Sequence, residues 1–168
     1  MRIINNIVVI LVLGMATMAV SGQTRQPTAP AGPFVVKSKQ QISAITDLLK
    51  KQDGNRQEDI VAQTGKQMRV AVFHDENRRN DLFEVHDNSD DIYYVLEGNA
   101  TLLLGGDLIE PNEISPGEWR AKTAGGTQKV EIKKGDVIMV PRGTVHQRTV
   151  TGKGFSMILI KVFANQQP

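Results

Sequence analysis

Cysteine is absent from this chain of 168 residues. The folded domain must therefore be stable without disulfides, and no thiol is present for the lipid attachment that anchors lipoproteins. A strong charge of one sign is also lacking, because 20 Lys and Arg residues face 18 Asp and Glu residues, a formal net charge of +2. A near-neutral chain without a basic stripe lacks the electrostatic footprint of nucleic-acid binding, so no nucleic-acid partner is expected.

Long apolar runs are also scarce, and the one at the N-terminus covers residues 7–20 behind the basic Arg2. Small residues follow it, and this order is typical of a secretory signal peptide, so we predict that residues 1–22 are removed before Gln23. An uncleaved membrane anchor is the alternative, but the run is shorter than the roughly 20 residues that a spanning helix needs. We therefore expect a secreted or periplasmic protein with no membrane association after cleavage.

The segment that follows the signal peptide, residues 23–37, is rich in proline and polar residues without apolar periodicity. Such a composition predicts an extended linker. A helix is predicted from Ser38, because Ser38 and Gln41 form a capping box and apolar residues recur at helical spacing. Residues 38–168 are then interpreted as a single domain.

Beyond about Gln67 the apolar pattern changes to short runs such as DIYYVLEG, ATLLLGG and DVIMVP, separated by glycine-containing turns. Seven or more short strands without intervening helices predict an all-β sandwich or small barrel. One polar excursion, residues 109–126, carries the only tryptophan, Trp119. We expect this excursion to form a lid or a pocket wall.

Side chains that could bind a metal gather in the stretch EVHDNSDDIYYVLEG, residues 84–98. Residues two apart on a strand share a face, so Glu84 and His86 project the same way. A short acidic turn then places Asp91 at the start of the next strand. The three side chains can therefore converge.

A later stretch, GDVIMVPRGTVHQRTV, places Gly135, Pro141, Gly143 and His146 in the spacing G(x5)PxG(x2)H. It resembles the second conserved motif of the cupin superfamily. The final Asn of that motif, expected four residues after the histidine, is replaced by Val150.

The first stretch resembles the first cupin motif, G(x5)HxH(x3 or 4)E(x6)G, in a degenerate form. His86 matches the second histidine, Asp91 stands at the glutamate, and Gly98 is the closing glycine. Glu84 replaces the first histidine, and Arg78 replaces the opening glycine.

The resemblance implies a small single-domain cupin of the type-2 kind, an antiparallel β-barrel of jelly-roll type with one N-terminal helix. It also implies a metal pocket in the barrel mouth, here formed by Glu84, His86, Asp91 and His146. Two imidazoles and two carboxylates suit a divalent transition metal such as Mn, Fe, Ni or Zn. The alternative is that the histidines are merely hydrogen-bonded and the acidic turn is solvated.

Strand alternation extends this interpretation to the pocket lining. If Asp91 faces inward, so do Tyr93 and Val95, and if His146 faces inward, so does Arg148. We predict that these three residues, with Trp119, contact a small-molecule ligand. Tyr93 is also a candidate for catalytic proton transfer.

Arg148 has two interpretations. An inward arginine beside a metal indicates a carboxylate or another anionic ligand. Alternatively, Arg148 pairs with Glu84 or Asp91.

Three functions remain open at this point. One is a metal-dependent enzyme such as a dioxygenase, isomerase or decarboxylase, and another is a non-catalytic barrel that binds a small molecule with a degenerate or absent metal site. A purely structural barrel is the third, because one fold hosts many activities. Apolar residues on both faces of the strands, including Ile92, Tyr94 and Leu96, further predict a homodimer.

Overall fold

A computed structural model of the protein describes residues 27–30, 32–79, 81–152, 154–165 and 167. The chain divides into two units, Met1–Pro33 and Phe34–Pro168. The predicted signal peptide, residues 1–22, lies outside the described residues. Those described between 27 and 37 form neither helix nor strand, and their side chains are exposed. No helix among the described residues has the length and apolar character needed to cross a membrane.

The regular structure of the described residues consists of one helix, α1 (Lys39–Leu49), and thirteen mostly short strands. The strands are β1 (Arg56–Val61), β2 (Met68–Asp75), β3 (Phe83–His86), β4 (Ser89–Glu97), β5 (Asn99–Leu104), β6 (Asp107–Ile109), β7 (Asn112–Ser115), β8 (Glu118–Ala121), β9 (Thr123–Gly125), β10 (Gln128–Lys133), β11 (Val137–Val140), β12 (His146–Thr149) and β13 (Phe155–Phe163).

Two antiparallel sheets form the body of the domain. One has five strands in the order β1-β2-β13-β4-β11, and the other has six in the order β10-β5-β12-β3-β8-β7. Strands β6 and β9 form a separate two-stranded ribbon. Side chains from both large sheets, including Tyr93 and Met157 from one and Leu102 and Ile132 from the other, share one apolar core. The predicted all-β jelly-roll architecture with an N-terminal helix is confirmed.

Helix α1 begins where the capping box predicts. The backbone N–H of Gln41 donates to the Ser38 hydroxyl, and the Ser38 N–H donates to the Gln41 side-chain oxygen. The apolar face of the helix buries Ile45 and Leu49 against Val72 of β2. The helix therefore packs on the five-stranded sheet.

Each motif stretch contains a glycine with a positive φ at a close backbone contact. Gly143, with φ of 77°, donates its backbone N–H to the carbonyl of His86 at 2.9 Å. Gly98 closes the β4–β5 turn with φ of 75°, where an added Cβ would collide with the backbone of Gly154. Both positions require glycine, because other residues rarely adopt a positive φ. The hydrogen bond from Gly143 to His86 connects the loop before His146 to the strand that carries Glu84 and His86.

Candidate metal centre

Three neighbouring strands of the six-stranded sheet position the polar side chains. In the register of these strands, Glu84 of β3 lies opposite His146 of β12 on one side and Arg120 of β8 on the other. His86 lies opposite Glu118. These side chains project between the sheets because they alternate with residues of the other face.

His146 directs its Nε2 atom toward the carboxylates of Glu84 and Asp91. Its Nδ1–H donates to the backbone carbonyl of Thr144 at 2.9 Å, so Nε2 is the ring nitrogen available to a metal ion. That Nε2 atom is buried without a hydrogen-bond partner, and it lies 3.4 Å from a carboxylate oxygen of Glu84. Because buried polar atoms in native proteins are usually satisfied, this nitrogen indicates a binding position.

His86 is oriented in a similar way by a carboxylate. Its Nδ1–H donates to Glu118 at 2.7 Å, and its Nε2 lies 3.6 Å from Asp91. The centroids of the His86 and His146 rings are 5.1 Å apart. Burial lowers the pKa of His86, but the hydrogen bonds of Asp91 and Glu118 outweigh it and raise the pKa to about 9. A metal ion that binds this nitrogen must therefore displace a proton.

The donor set fits a divalent transition metal. Glu84, His86 and His146 each offer one ligand atom, and these atoms lie within 4.8 Å of one another. Ligand atoms about 2 Å from a shared ion lie roughly 3 to 4 Å apart, so small side-chain movements suffice. The structure thus brings together three of the four predicted ligands.

Asp91, the fourth predicted ligand, lies beside this group and is paired with a cation. One of its oxygens is 3.6 Å and 3.9 Å from the Nε2 atoms of His86 and His146, respectively. The other oxygen is 2.7 Å from the ammonium group of Lys161. Burial acts to raise the pKa of Asp91, but His86 and Lys161 hold it below its ordinary value. Ligation by Asp91 stays a prediction.

Arg120 pairs with the carboxylates of Glu84 and Glu118. Its guanidinium lies 2.9 Å from Glu84 and 3.4 Å from Glu118. Burial acts to raise the pKa of Glu84, but the neighbouring His146, together with Arg120, holds it well below its usual range. Glu84 is therefore ionised and available as an anionic ligand at neutral pH.

A cavity of about 600 Å³ opens beside the donor atoms. Tyr93 lines it, and burial, followed by the charge of Asp91, raises the pKa of its phenol well above the ordinary value. Val95 is fully buried in the apolar core between the sheets and does not line this cavity. The predicted inward direction of both side chains agrees with the structure.

Arg148 lines the cavity but has a different partner from either predicted carboxylate. Its Nε and Nη2 atoms lie 2.8 Å and 2.7 Å from the same oxygen of Asp75. The guanidinium also lies within 5.9 Å of the ring centroids of Phe73, Tyr93 and Phe155. The proposed pairing with Glu84 or Asp91 is wrong, since Arg148 pairs with Asp75, a carboxylate that it shares with Arg78.

Trp119 belongs to the opposite face of β8 from Glu118 and Arg120. It lies opposite Val85 in the register, and its indole N–H donates to Asp87 at 2.8 Å. Trp119 is not among the residues that line the cavity. Residues 109–126 do contribute to the pocket wall, through Glu118 and Arg120 and not through Trp119.

Sequence reasoning missed three charged residues of the site. Glu118 and Arg120 flank Trp119, and strand alternation would have directed them inward once β8 was recognised. Lys161 is the single charge in the apolar strand FSMILIKVF. A lone lysine in a buried strand indicates an internal carboxylate partner, and that partner is Asp91.

Comparison with known proteins gives the fold. No sequence-family model matches the chain, and no curated protein matches it. Among solved structures, the DMSP lyase DddQ from Ruegeria pomeroyi shares 14% identity with a TM-score of 0.52, over 86% of this chain and 79% of that chain.

Two further structures are similar over 68% of this chain. An uncharacterised protein with a double-stranded β-helix domain from Klebsiella pneumoniae is 19% identical, with 82% of its chain covered and a TM-score of 0.48. A conserved protein of unknown function from Streptococcus pyogenes is 16% identical, with 78% covered and a TM-score of 0.49. At such identities structural similarity shows the fold alone, and the similarity to DddQ, with a TM-score above 0.5, agrees with the β-barrel fold implied by the two motifs.

Proposed function

We propose that this chain, a barrel of cupin-type fold, binds one divalent transition metal through Glu84, His86 and His146, and a small anionic molecule in the cavity beside it. The observation that carries the proposal is the buried, unpartnered Nε2 of His146, which faces a carboxylate. Leaving such an atom unsatisfied costs about 1–3 kcal/mol, which metal coordination would recover.

The donor types define the class of metal. Two imidazole nitrogens and one carboxylate oxygen suit Mn, Fe, Ni or Zn. A metal ion held there would act as a Lewis acid toward an oxygen atom of the bound molecule. The Asp91 oxygen that does not contact Lys161 is close enough to be a fourth ligand.

The chain's own residues define the class of small molecule. Arg120 and Lys161 place positive charge around the donor atoms, and both line the cavity. These cations favour an anionic ligand, such as a carboxylate. Tyr93 keeps its proton because its pKa is raised, so it acts as a hydrogen-bond donor, here to Asp91 at 3.5 Å, and not as a base.

The number of protein ligands favours an enzyme. Catalytic metal sites commonly have three protein ligands and leave a position for substrate, whereas structural sites are closed by four. The group of three here, next to a cavity, fits the first arrangement. A metal-dependent dioxygenase, isomerase or decarboxylase of small molecules is therefore our first candidate.

A non-catalytic binding barrel is the second candidate. Its support is that Glu84 and Asp91 already have cationic partners in Arg120 and Lys161. The carboxylates are thus electrostatically satisfied without a metal ion. In either case, the sequence of residues 1–22 supports export to the periplasm or the cell exterior.

Elemental analysis of the protein purified without residues 1–22 tests the proposal. A metal-dependent enzyme retains Mn, Fe, Ni or Zn in near-stoichiometric amount, loses it to a chelator and regains it on addition. A protein that remains metal-free in the presence of each of these ions, and that carries a small molecule in native mass spectrometry, would establish the non-catalytic barrel instead.

A further inference from the structure

Arg120 connects the two carboxylates that matter most for the metal centre. Its Nη2 lies 2.9 Å from the Glu84 oxygen that is not directed at His146, and its Nη1 lies 3.4 Å from Glu118. Glu118 is the acceptor that orients His86. One guanidinium thus touches a predicted metal ligand and the partner of another.

We infer that Arg120 is the anion-binding side chain of this cavity, held by Glu84 in the metal-free protein and released when Glu84 coordinates a metal ion. The inference rests on the proposed metal-binding function. A carboxylate that shares its charge with a divalent cation attracts a neighbouring guanidinium less strongly. Arg120 then has donor capacity for the carboxylate of a ligand, for which its planar fork is suited.

The charge balance of the site supports a single anionic ligand. Three carboxylates, from Glu84, Asp91 and Glu118, face two permanent cations, Arg120 and Lys161. With both imidazoles bound as neutral ligands, a divalent ion gives the group one excess positive charge. A half-enclosed cavity with that excess attracts a monoanion.

The other cations that line the cavity are less suited to this role, and two of them, Arg69 and Arg78, pair with carboxylates outside the donor group. Arg148 is buried and makes both of its contacts with Asp75, which is fully buried. Lys161 is held at 2.7 Å by Asp91 and donates to Ser89 at 3.2 Å. Arg120 is more exposed than Arg148 and Lys161. Its Nη1 donates to the Trp119 carbonyl at 2.8 Å, and its Nη2 pairs with Glu84, a member of the three-residue donor group.

Thermodynamic linkage makes the inference measurable. If a metal ion frees Arg120 for an anion, the anion must raise metal affinity by the same factor as the metal raises anion affinity. Acetate is a suitable probe because it presents one carboxylate. We expect acetate to tighten Mn²⁺ binding by the wild-type protein at least about fivefold, relative to sodium chloride at equal ionic strength.

Isothermal titration of Mn²⁺ into four proteins tests the role of Arg120: wild type, Arg120→Gln, Arg120→Lys and the exposed control Arg56→Gln. Arg120→Gln removes a competing cation, so its Mn²⁺ affinity should rise about threefold to tenfold, while the effect of acetate disappears. Arg120→Lys keeps the charge but not the fork, so its Mn²⁺ affinity should stay within about twofold of wild type with a reduced acetate effect. Arg56→Gln should match wild type throughout.

A lower Mn²⁺ affinity in the Arg120 variants would overturn the inference. If Arg120 merely holds Glu84 and Glu118 in place, Arg120→Gln and Arg120→Lys will both bind Mn²⁺ more weakly than wild type. An acetate effect that persists in full in Arg120→Gln also overturns it, and leaves the metal site itself intact. Failure of the wild-type protein to bind Mn²⁺, Ni²⁺ or Zn²⁺ would instead remove the proposed function. Circular dichroism melts confirm that each variant is folded, and Arg120→Lys carries the test if Arg120→Gln is not.

Discussion

Glu118 determines the direction of His86, because it accepts the Nδ1–H of that ring at 2.7 Å and leaves Nε2 toward the cavity. Carboxylates that orient a metal-binding histidine typically contribute a factor of about 10 to 100 to metal affinity. We therefore predict that Glu118→Ala weakens Mn²⁺ or Zn²⁺ binding by about that factor, measured by isothermal titration.

A conservative variant separates orientation from charge. Glu118→Gln keeps an acceptor oxygen, so it should lose less affinity than Glu118→Ala. Glu131→Ala is the matched control, because Glu131 is an exposed residue of β10 that pairs with Lys129 and accepts a hydrogen bond from Thr101 of β5. Equal metal affinity in Glu118→Ala and Glu131→Ala would show that Glu118 plays no part in the site.

At the scale of single residues, the sequence predicted the site residues whose positions depend on local spacing. Strand alternation and motif spacing were sufficient for Glu84, His86 and His146, since each depends only on its neighbours in the chain. The partners Glu118 and Arg120 lie 32 and 36 positions beyond the residues they contact, His86 and Glu84, on a strand whose pairing no local pattern encodes. Long-range pairing of this kind needs the folded structure.

Among the elements, the loop between β11 and β12 is hydrogen-bonded to β3. The backbone N–H of Gly143 donates to the carbonyl of His86 at 2.9 Å, three residues before His146. Its φ of 77° is unfavourable for residues with a Cβ, although an added Cβ would meet no atom within 4 Å. The cost of Gly143→Ala should therefore be backbone strain, of order 1–2 kcal/mol in the free energy of unfolding.

Strain at Gly143 should also reach the metal centre, because relief of the strain shifts the loop that holds His146. Gly143→Ala should lower both the melting temperature and the Mn²⁺ affinity. Gly135→Ala is the control, since Gly135 has φ of 91° and equally open surroundings but donates to Val95, away from the donor atoms. We expect a similar loss of melting temperature in Gly135→Ala with unchanged metal affinity. A parallel loss of metal affinity in both variants would contradict the specific link through His86.

Strands in which buried and exposed residues alternate were predictable from the sequence, and strands without this alternation were not. Strand β4 alternates between buried and more exposed positions along most of its length, so its inward face was readable from the sequence. Helix α1 had its capping box. Strand β7, by contrast, is exposed at all four positions, and its sequence NEIS carries no alternation that distinguishes it from a loop. The polar excursion was therefore recognised as a pocket wall without its strands.

For the whole molecule, the predicted homodimer remains a prediction, and the structure locates an apolar surface that fits it. Val137 and Met139 of β11 are 67% and 60% exposed, and Tyr94 lies opposite Val137 in the register. Strand β11 is also an edge of the five-stranded sheet. Exposed apolar residues on an edge strand favour association with a second copy.

Light scattering coupled to size-exclusion chromatography tests this surface. Wild type should elute as a dimer, and Met139→Lys should shift it toward monomer without loss of melting temperature, because the side chain is exposed. Ile114→Lys is the control, since Ile114 is exposed to a similar degree on β7 of the other sheet. A monomeric wild type at high protein concentration would contradict the dimer.

The most direct test of the metal centre is a thermal melt of wild type, His146→Ala and His74→Gln, each with and without Mn²⁺, Ni²⁺ or Zn²⁺. His74 is the third histidine, and it contacts Ser156 at 2.8 Å outside the donor group. A ligand at a hundredfold excess over Kd stabilises the native state by about 2.7 kcal/mol. We predict that at least one of these ions raises the melting temperature of wild type and His74→Gln by several degrees and leaves His146→Ala unchanged. An identical response of all three proteins to every ion would show that Glu84, His86 and His146 do not form a metal site.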